Sequence, residues 1–251
     1  MNKLSGIFLL LIFTYLCPDS QAQTTRFPHG VTNADPVGAM RNLPIPDPTK
    51  IHSLWNDFDI RGVTSTWEDL KDTGSTVTLS QADPGVYVLA TDTDKGDQTL
   101  IRTDEIFKFE AGKELWFAAR YKVSDASDAL VLCGLTARTT NDVDDSVVDG
   151  VYMRINTLEY VDFHVTKDGV SSSSHGTDTG LAVIDDTFFE FAFYYNGYNG
   201  VEFFINDSPY ATIPVANLPD DEDLAVIIGI QNAAAAANSL TLDYIFVAKE
   251  R

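Results

Sequence analysis

The stretch TFFEFAFYYNGYNGVEFFINDSPYATIP, residues 187–214, decides the fold class of this chain. Phe and Tyr recur at every second position before its central NGYNG (residues 196–200), and Val, Phe and Ile do so after it. A period of two is typical of a strand with one buried face, and Asn-Gly pairs favour tight hairpin turns. The stretch therefore predicts two antiparallel strands that are joined at residues 196–200.

Short segments of the same character recur from residue 54 to the C-terminus. One of them, KELWFAARYKVS, predicts a strand with Leu115, Phe117, Ala119 and Tyr121 on one side. About a dozen such strands, with no long amphipathic helical pattern, predict an all-β fold: an antiparallel two-sheet sandwich. The other predicted strands lie in STVTLSQ, GVYVLATD, ALVLCGLTAR, GVYMRIN, EYVDFHVTKDG, DLAVIIGIQN and SLTLDYIFVAKE.

The first fifty residues do not share this pattern. Residues 1–22 combine Lys3, an apolar run of about ten residues and the end Ser20-Gln21-Ala22, as a secretory signal peptide does. Five prolines then interrupt residues 23–53, and this predicts an extended arm. We therefore expect a cleavable leader at 1–22, an arm at 23–53 and one sandwich domain at 54–251.

The net charge excludes some classes of binding partner. The net charge is -20, from 17 basic and 37 acidic residues. Such a field repels phosphate backbones and anionic lipids, so neither nucleic acid nor a membrane is an expected partner of the mature chain.

The two cysteines are Cys17, in the leader, and Cys133, in the apolar run ALVLCGL. They provide no disulfide framework, and we expect Cys133 to be a buried free thiol.

The C-terminal third of the chain resembles a known architecture. The hairpin, LPDDEDLAVIIGIQN and SLTLDYIFVAKE, with Asp243-Tyr244 inside the last strand, are similar to the final strands of concanavalin A-like jelly rolls. The resemblance covers about residues 54–251 and implies a jelly-roll sandwich of the lectin and glucanase type. This superfamily contains lectins, laminin G-like domains, sugar-binding modules, family 16 glycoside hydrolases and virion proteins, so the fold alone assigns no function.

A second resemblance concerns the arm. TTRFPHGVTNADP, followed by PDPTKIHSLWNDFD, is similar to the N-terminal portion of structural proteins of tailed, notably marine, bacteriophages. ELWFAARYKVSDAS and VVDGVYMRIN resemble the body of the same proteins. The resemblance implies a capsid or head decoration protein whose arm docks on a neighbouring protein, with Phe27 as its apolar anchor. The expected docking residues are Arg26, Phe27, Pro28 and Val31.

The strands lack the carboxylate pattern of the catalytic members of this superfamily. Retaining hydrolases on a jelly roll carry Glu-x-Asp-x-x-Glu or Glu-x-Asp-x-Glu on one strand, and EIFKFE, EYVDFH and VEFFIND fit neither. We therefore expect a protein that is not an enzyme. His164 alternates with Asp162, so the two can share a face, and we expect a surface pair rather than a catalytic dyad.

Two groups of residues are candidates for binding. Asp92, Asp94 and Asp97 surround Gly96 in DTDKGD and could hold calcium, the only cofactor that the sequence suggests, although Asp-rich turns are more often only turns. Tyr194, Tyr195, Tyr198 and Asn199 flank or form the hairpin turn and could stack on a sugar ring. The alternative is that these tyrosines fill the core between the sheets.

Two functions from different classes follow. The first is a non-enzymatic structural protein of a virion, which contacts other capsid proteins and forms a homo-oligomer within the particle. The alternative is an exported, lectin-like module that binds surface glycans and is extracellular after cleavage of the leader. A family 16-like glycoside hydrolase is less favoured, because the carboxylate pattern is missing.

Overall fold

A computed structural model describes residues 50–58, 67–80, 85–144, 146–174 and 181–251. Within these ranges the chain forms fifteen β-strands in two antiparallel sheets, one short 3-10 turn at Val215–Asn217 and no α-helix. The all-β, two-sheet prediction is therefore confirmed. The predicted leader and the arm up to residue 49 lie outside the described residues. In the described part of the chain, no helix has the length and apolar character needed to cross a membrane.

Sheet A has eight strands and contains the predicted hairpin of residues 187–214. Its order is β13-β12-β11-β6-β15-β4-β3, and β1 pairs with β15 beside β4. The strands are β1 (Ile51–Asn56), β3 (Thr76–Ser80), β4 (Val86–Ala90), β6 (Leu115–Val123), β11 (Phe189–Tyr195), β12 (Gly200–Ile205), β13 (Ser208–Pro214) and β15 (Ser239–Glu250).

Sheet B has seven strands in the order β10-β9-β8-β7-β14-β5-β2. They are β2 (Glu68–Lys71), β5 (Gln98–Arg102), β7 (Ala129–Thr136), β8 (Gly150–Ile155), β9 (Val161–Lys167), β10 (Val170–Ser174) and β14 (Ala225–Asn232).

The predicted hairpin is confirmed as β11 and β12, which are paired from Phe191 opposite Ile205 to Tyr195 opposite Val201. In the turn, the Asn196 side-chain oxygen accepts hydrogen bonds from the backbone N–H groups of the residues two and three positions later, both at 3.0 Å. Gly197 has a φ of 86°, and a Cβ there would lie 3.0 Å from the backbone of Gly112. The turn therefore needs glycine both for its dihedral angles and for space.

The core is an aromatic layer between the two sheets. The four side chains predicted for one side of β6 are all buried in it. Phe117 stacks on Phe193 within sheet A at 4.9 Å, and Phe163 of sheet B stacks on Phe203 of sheet A at 5.0 Å. Each fully buried Phe contributes about 1.5–3 kcal/mol through loss of apolar surface. The prediction for Cys133 is also confirmed: it is a buried free thiol, and burial raises its pKa well above the usual value.

The first strand begins at Ile51, inside the segment predicted as arm. It pairs antiparallel with β15 along its whole length, from Ile51 opposite Glu250 to Asn56 opposite Ile245. Residues 51–53 therefore belong to sheet A.

Candidate functional site

The outer face of sheet B is divided into two unlike halves. On strands β5, β7 and β14 the outward side chains near the middle of the face are apolar, and Leu100, Leu132 and Ile227 form a cluster there, whereas polar side chains such as Arg102 and Gln231 lie towards the strand ends. On strands β8, β9 and β10 the outward side chains are polar or charged. The two halves therefore cannot have the same role.

The apolar half is covered by the connection between β7 and β8, residues 137–144 and 146–149. Val143 and Val147 from this connection are buried against the apolar cluster. A Cβ at Gly229 in β14 would lie 2.4 Å from Cβ of Leu100 and 3.0 Å from Cγ2 of Val143. Leu100 of β5 and Val143 of the connection therefore together leave room only for glycine at this position.

Polar contacts hold the connection in place. The Arg102 Nη1 donates to the backbone oxygens of Arg138 (2.6 Å) and Thr140 (3.1 Å), and its Nε donates to Glu68 Oε2 at 2.8 Å. The hydrogen bond from Arg102 is the main cause of the lowered pKa of the Glu68 carboxyl. Gln231 Nε2 donates to Asp142 Oδ1 at 3.0 Å. The connection therefore closes this half of the face.

The other half, on β8, β9 and β10, lies outside the main cover of this connection, and we call it the open half. It carries a row of hydrogen-bonding side chains, the polar strip, of which Tyr152 is 4% exposed and belongs to the cluster that contains Val143 and Val147. The rings of Tyr152 and His164 stack at 4.9 Å with an interplanar angle of 11°, and the Arg154 guanidinium lies 5.5 Å above the Tyr152 ring. Cross-strand register places Arg154 opposite Asp162. The polar strip comprises Tyr152, Arg154, Asn156, Asp162, His164, Ser171 and Ser173.

Neighbouring contacts orient the polar strip. Asn156 Nδ2 donates to Asp162 Oδ2 at 2.9 Å, and His164 Nδ1 lies 3.3 Å from the hydroxyl of Ser171. The expectation that Asp162 and His164 share a face is confirmed by their register with β8. The strip offers guanidinium, imidazole, amide, hydroxyl and carboxylate groups, so it can form many hydrogen bonds to a polar ligand. Strands β7, β8, β9 and β14 contain a single carboxylate, Asp162.

The four residues predicted to stack on a sugar do not form one platform. Tyr195 is 3% exposed and packs in the core against Phe109, whereas Tyr194 points to the outer face of sheet A and donates to Glu114 Oε1 at 2.7 Å. Tyr198 is 69% exposed in the hairpin turn, where its neighbour Asn199 also lies. This corrects the predicted grouping, because adjacent strand residues point to opposite faces of a sheet.

The predicted calcium ligands lie together in the loop before β5. Asn232 Nδ2 donates to the backbone oxygens of Asp92 (2.6 Å) and Asp94 (3.0 Å), and these hydrogen bonds fix the shape of the loop. Loss of solvation, and then the charges of Asp94, Asp72 and Asp92, raise the pKa of the Asp97 carboxyl. Among the described residues, no three His, Cys, Asp or Glu side chains are grouped so that they could hold a metal ion. The hydrogen bonds from Asn232 therefore stabilise this loop as a turn.

The remaining predicted site residues, Arg26, Phe27, Pro28 and Val31, lie outside the described residues. A separate cleft of about 290 Å³ opens where the start of β9 faces the β12–β13 turn. Its lining is mostly apolar and includes Leu181, Phe188 and Tyr210. It offers few groups for recognition of a polar ligand.

No protein-family model matches the chain, and no curated protein matches it. Solved structures do match. The carbohydrate recognition domain of Emp46p, in its metal-free form, has a TM-score of 0.56 and 10% identity over 78% of this chain and 95% of that domain. The fold is the concanavalin A-like jelly roll. The laminarinase catalytic domain from Thermotoga maritima has a TM-score of 0.56 and 12% identity over 78% of this chain and 96% of that domain.

Another match of the same quality has no assigned function. A protein of unknown function from Shewanella oneidensis has a TM-score of 0.56 and 15% identity, and the match covers 80% of this chain and 87% of that chain. At these identities the likenesses establish the fold alone. The jelly roll expected from the sequence is confirmed, and the function depends on this chain's own residues.

Sequence reasoning singled out only two members of the polar strip, Asp162 and His164. A signal for the others was present, because Tyr152 and Arg154 alternate with buried residues in GVYMRIN, as Asp162 and His164 do in EYVDFHVTKDG. Only the pairing of β8 with β9 places the two alternating sets side by side.

Proposed function

We propose that this chain is a glycan-binding domain and that the polar strip on the outer face of sheet B binds the sugar. The observation that carries the proposal is the strip itself: a row of side chains rich in donors and acceptors on β8, β9 and β10, beside an apolar half that the chain closes with its own connection. Hydroxyl-rich ligands need several oriented hydrogen bonds, and the strip offers them from three adjacent strands. The carbohydrate recognition domain of Emp46p has the same fold.

Binding without hydrolysis is supported by the number of carboxylates. Glycoside hydrolysis commonly needs two carboxyl groups about 5–10 Å apart on either side of the scissile bond. The four central strands of sheet B supply one, Asp162, and its Oδ2 already accepts a hydrogen bond from Asn156. We therefore propose a role in recognition, in a protein exported by the leader at 1–22 and extracellular after its cleavage.

Glycan-array capture by the chain beginning at Gln23 tests this function. We expect binding to a defined set of glycans, and a loss of at least about tenfold in affinity for Asp162→Asn and His164→Ala, because each removes a hydrogen bond to the ligand. Tyr198→Ala, at the exposed hairpin turn, is the matched control and should bind as the wild type does. Absence of glycan capture, or loss in Tyr198→Ala alone, would contradict the proposal.

A second candidate is the structural protein of a virion. It rests on the resemblance of TTRFPHGVTNADP to the N-terminal portion of tailed-phage structural proteins. Mass spectrometry of purified particles tests it directly. Absence of the chain from every particle fraction would rule out this candidate, and a native N-terminus at Gln23 in the culture medium would support the exported glycan-binding domain.

A further inference from the structure

The cleft between the start of β9 and the β12–β13 turn is lined mainly by apolar side chains. One wall is the segment that precedes β11, with Ile184 and Phe188, and the opposite wall is the β12–β13 hairpin, with Ile205 and Tyr210. Ile184 is 70% exposed and Tyr210 is 39% exposed. Apolar surface that faces solvent beside a concave site is typical of a region that binds a ligand.

Backbone hydrogen bonds hold both walls of the cleft in place. In the first wall, the Val183 N–H donates to the backbone oxygen of Glu159 at 2.9 Å. In the second, the Asn206 N–H donates to the backbone oxygen of Glu190 at 2.9 Å, and Asn206 Oδ1 accepts a hydrogen bond from the Glu190 N–H at 2.8 Å. The cleft is therefore preformed, and a ligand loses little affinity to the ordering of its walls.

The volume of the cleft limits the size of the ligand. It is about 290 Å³, at the small end of the range for sites that bind small molecules. An apolar cavity of about 150 Å³ holds one benzene ring. The cleft therefore has room for one aromatic ring with a short chain attached.

The β12–β13 hairpin adds hydrogen-bond acceptors to the apolar lining. Ser208 and Tyr210 both line the cleft, and each hydroxyl oxygen can accept a hydrogen bond from a ligand. A few polar groups within a mainly apolar wall are typical of such sites, because these groups fix the orientation of the ligand.

Charge indicates which ligands the cleft favours. The two segments that supply most of its lining, 181–189 and 205–210, contain three carboxylates and no basic residue. The carboxylates are those of Asp185, Asp186 and Asp207. Such a local field, within a chain of net charge -20, attracts cations and repels anions.

Two basic side chains near the cleft do not reverse this field, because both have acidic partners. The Arg120 guanidinium lies 4.6 Å from the centroid of the Phe188 ring, and Lys122 Nζ lies 5.6 Å from it. Arg120 forms an ion pair with Asp243, and Lys122 forms one with Asp186 at 3.1 Å. Carboxylates therefore outnumber the cations around the cleft.

We infer that this cleft binds a small organic cation, an ammonium group on an apolar body of about one aromatic ring. The body packs between Ile184 and Tyr210 and is removed from water, while the ammonium group donates to the hydroxyl oxygens of Ser208 and Tyr210. The surrounding carboxylates favour this charge over a neutral or anionic ligand. None of the residues that line the cleft belongs to the polar strip, so this site is independent of the glycan site.

Binding of phenethylamine, which is cationic at pH 7, tests the site. Titration of the full chain, followed through its amide NMR signals, should give saturable shifts at the residues of the cleft. Phenethyl alcohol has the same ring without the charge and should bind severalfold more weakly, and phenylacetate should give no saturable shift. Equal affinity for phenethylamine and phenethyl alcohol would overturn the assignment to a cation, and the absence of saturable shifts at the cleft would overturn the site itself.

A pair of tyrosine variants tests the position of the ligand. Tyr210→Ala removes a ring and a hydroxyl from the cleft and should weaken phenethylamine binding severalfold. Tyr198→Ala, at the exposed turn of another hairpin, is the matched control and should bind as the wild type does. If Tyr210→Ala does not fold, Ile184→Ser at an exposed position should give the same loss. Unchanged affinity in the folded cleft variant would contradict the inference.

A pair of aspartate variants tests the role of charge. Asp207→Asn removes a carboxylate from the β12–β13 turn, and Asn suits the φ of 65° at this position. It should reduce the preference for phenethylamine over phenethyl alcohol. Asp168→Asn, in the β9–β10 turn with a φ of 51°, is the matched control and should leave the preference unchanged. Equal preferences in the two variants would show that the carboxylates of the cleft do not select the ligand.

Discussion

Gly229 lies at the centre of β14, on the outer face of sheet B, directly beneath Val143. A Cβ at this position would lie 2.4 Å from Cβ of Leu100. Gly229→Ala should therefore lower the free energy of unfolding by about 1–3 kcal/mol, the usual cost of overpacking. Chemical denaturation measures the change. Ser171→Ala, in the open half of the same face, should change it by less than about 0.5 kcal/mol, and an equal loss in both variants would contradict the explanation.

For single residues, the two-residue period of the strands accounts for which side chains the sequence could predict as buried. It placed Leu115, Phe117 and Tyr121 in the core, and all three are buried. The same rule separates Tyr194 from Tyr195, because neighbours on a strand cannot share a face. The predicted sugar platform combined residues from both faces of a strand with residues of the turn. For that reason the structure does not bring its members together.

At the scale of elements, one buried side chain makes several hydrogen bonds to the β7–β8 connection. Arg102 is buried and donates to the backbone oxygens of Arg138 and Thr140 and to the side-chain oxygen of Asn141. Arg102→Met should leave these acceptors without their donor and lower the free energy of unfolding by about 1.5–3 kcal/mol. Proteolysis and hydrogen exchange should show faster opening at residues 137–149 than elsewhere.

The control for this prediction is Arg154→Met, which removes a guanidinium from the open half of the same face. It should leave the protection of residues 137–149 unchanged. Equal exchange in the wild type and Arg102→Met would mean that Val143 and Val147 alone hold the connection.

The sequence predicted the strands much better than it predicted this connection. In the folded chain Asp142 accepts a hydrogen bond from Gln231, and Val143 packs on Gly229. A strand shows its buried face in its own periodicity. The contact between a loop and a distant sheet face has no such local signal, because it is set by the order of strands in sheet B.

For the whole molecule, acid should remove stabilising ion pairs. Glu110 accepts hydrogen bonds from Lys249, at the end of β15, and from Lys113, and these lower the pKa of its carboxyl. The folded state therefore binds this proton less readily than the unfolded state. The stabilisation is present above about pH 4.5 and is lost as the pH falls through the folded-state pKa.

Glu110→Gln should accordingly be less stable than the wild type at pH 7 by up to about 1 kcal/mol, because the carboxylate is partly exposed and screened. The difference should shrink towards zero near pH 3. Urea unfolding at several pH values measures it, with Glu222→Gln, at an exposed loop position, as the control. A difference that is constant with pH would show that the ion pairs are not its cause.

The pairing of β1 with β15 also fixes the order in which the molecule can be assembled. Arg251 bonds back to Ile51 across 200 positions, and β15 is the strand that β1, β4 and β6 all contact. During synthesis β1 has no partner until residues 245–250 of β15 have left the ribosome. Sheet A is therefore completed late, and contacts so distant in sequence make folding slow compared with helical proteins of similar size.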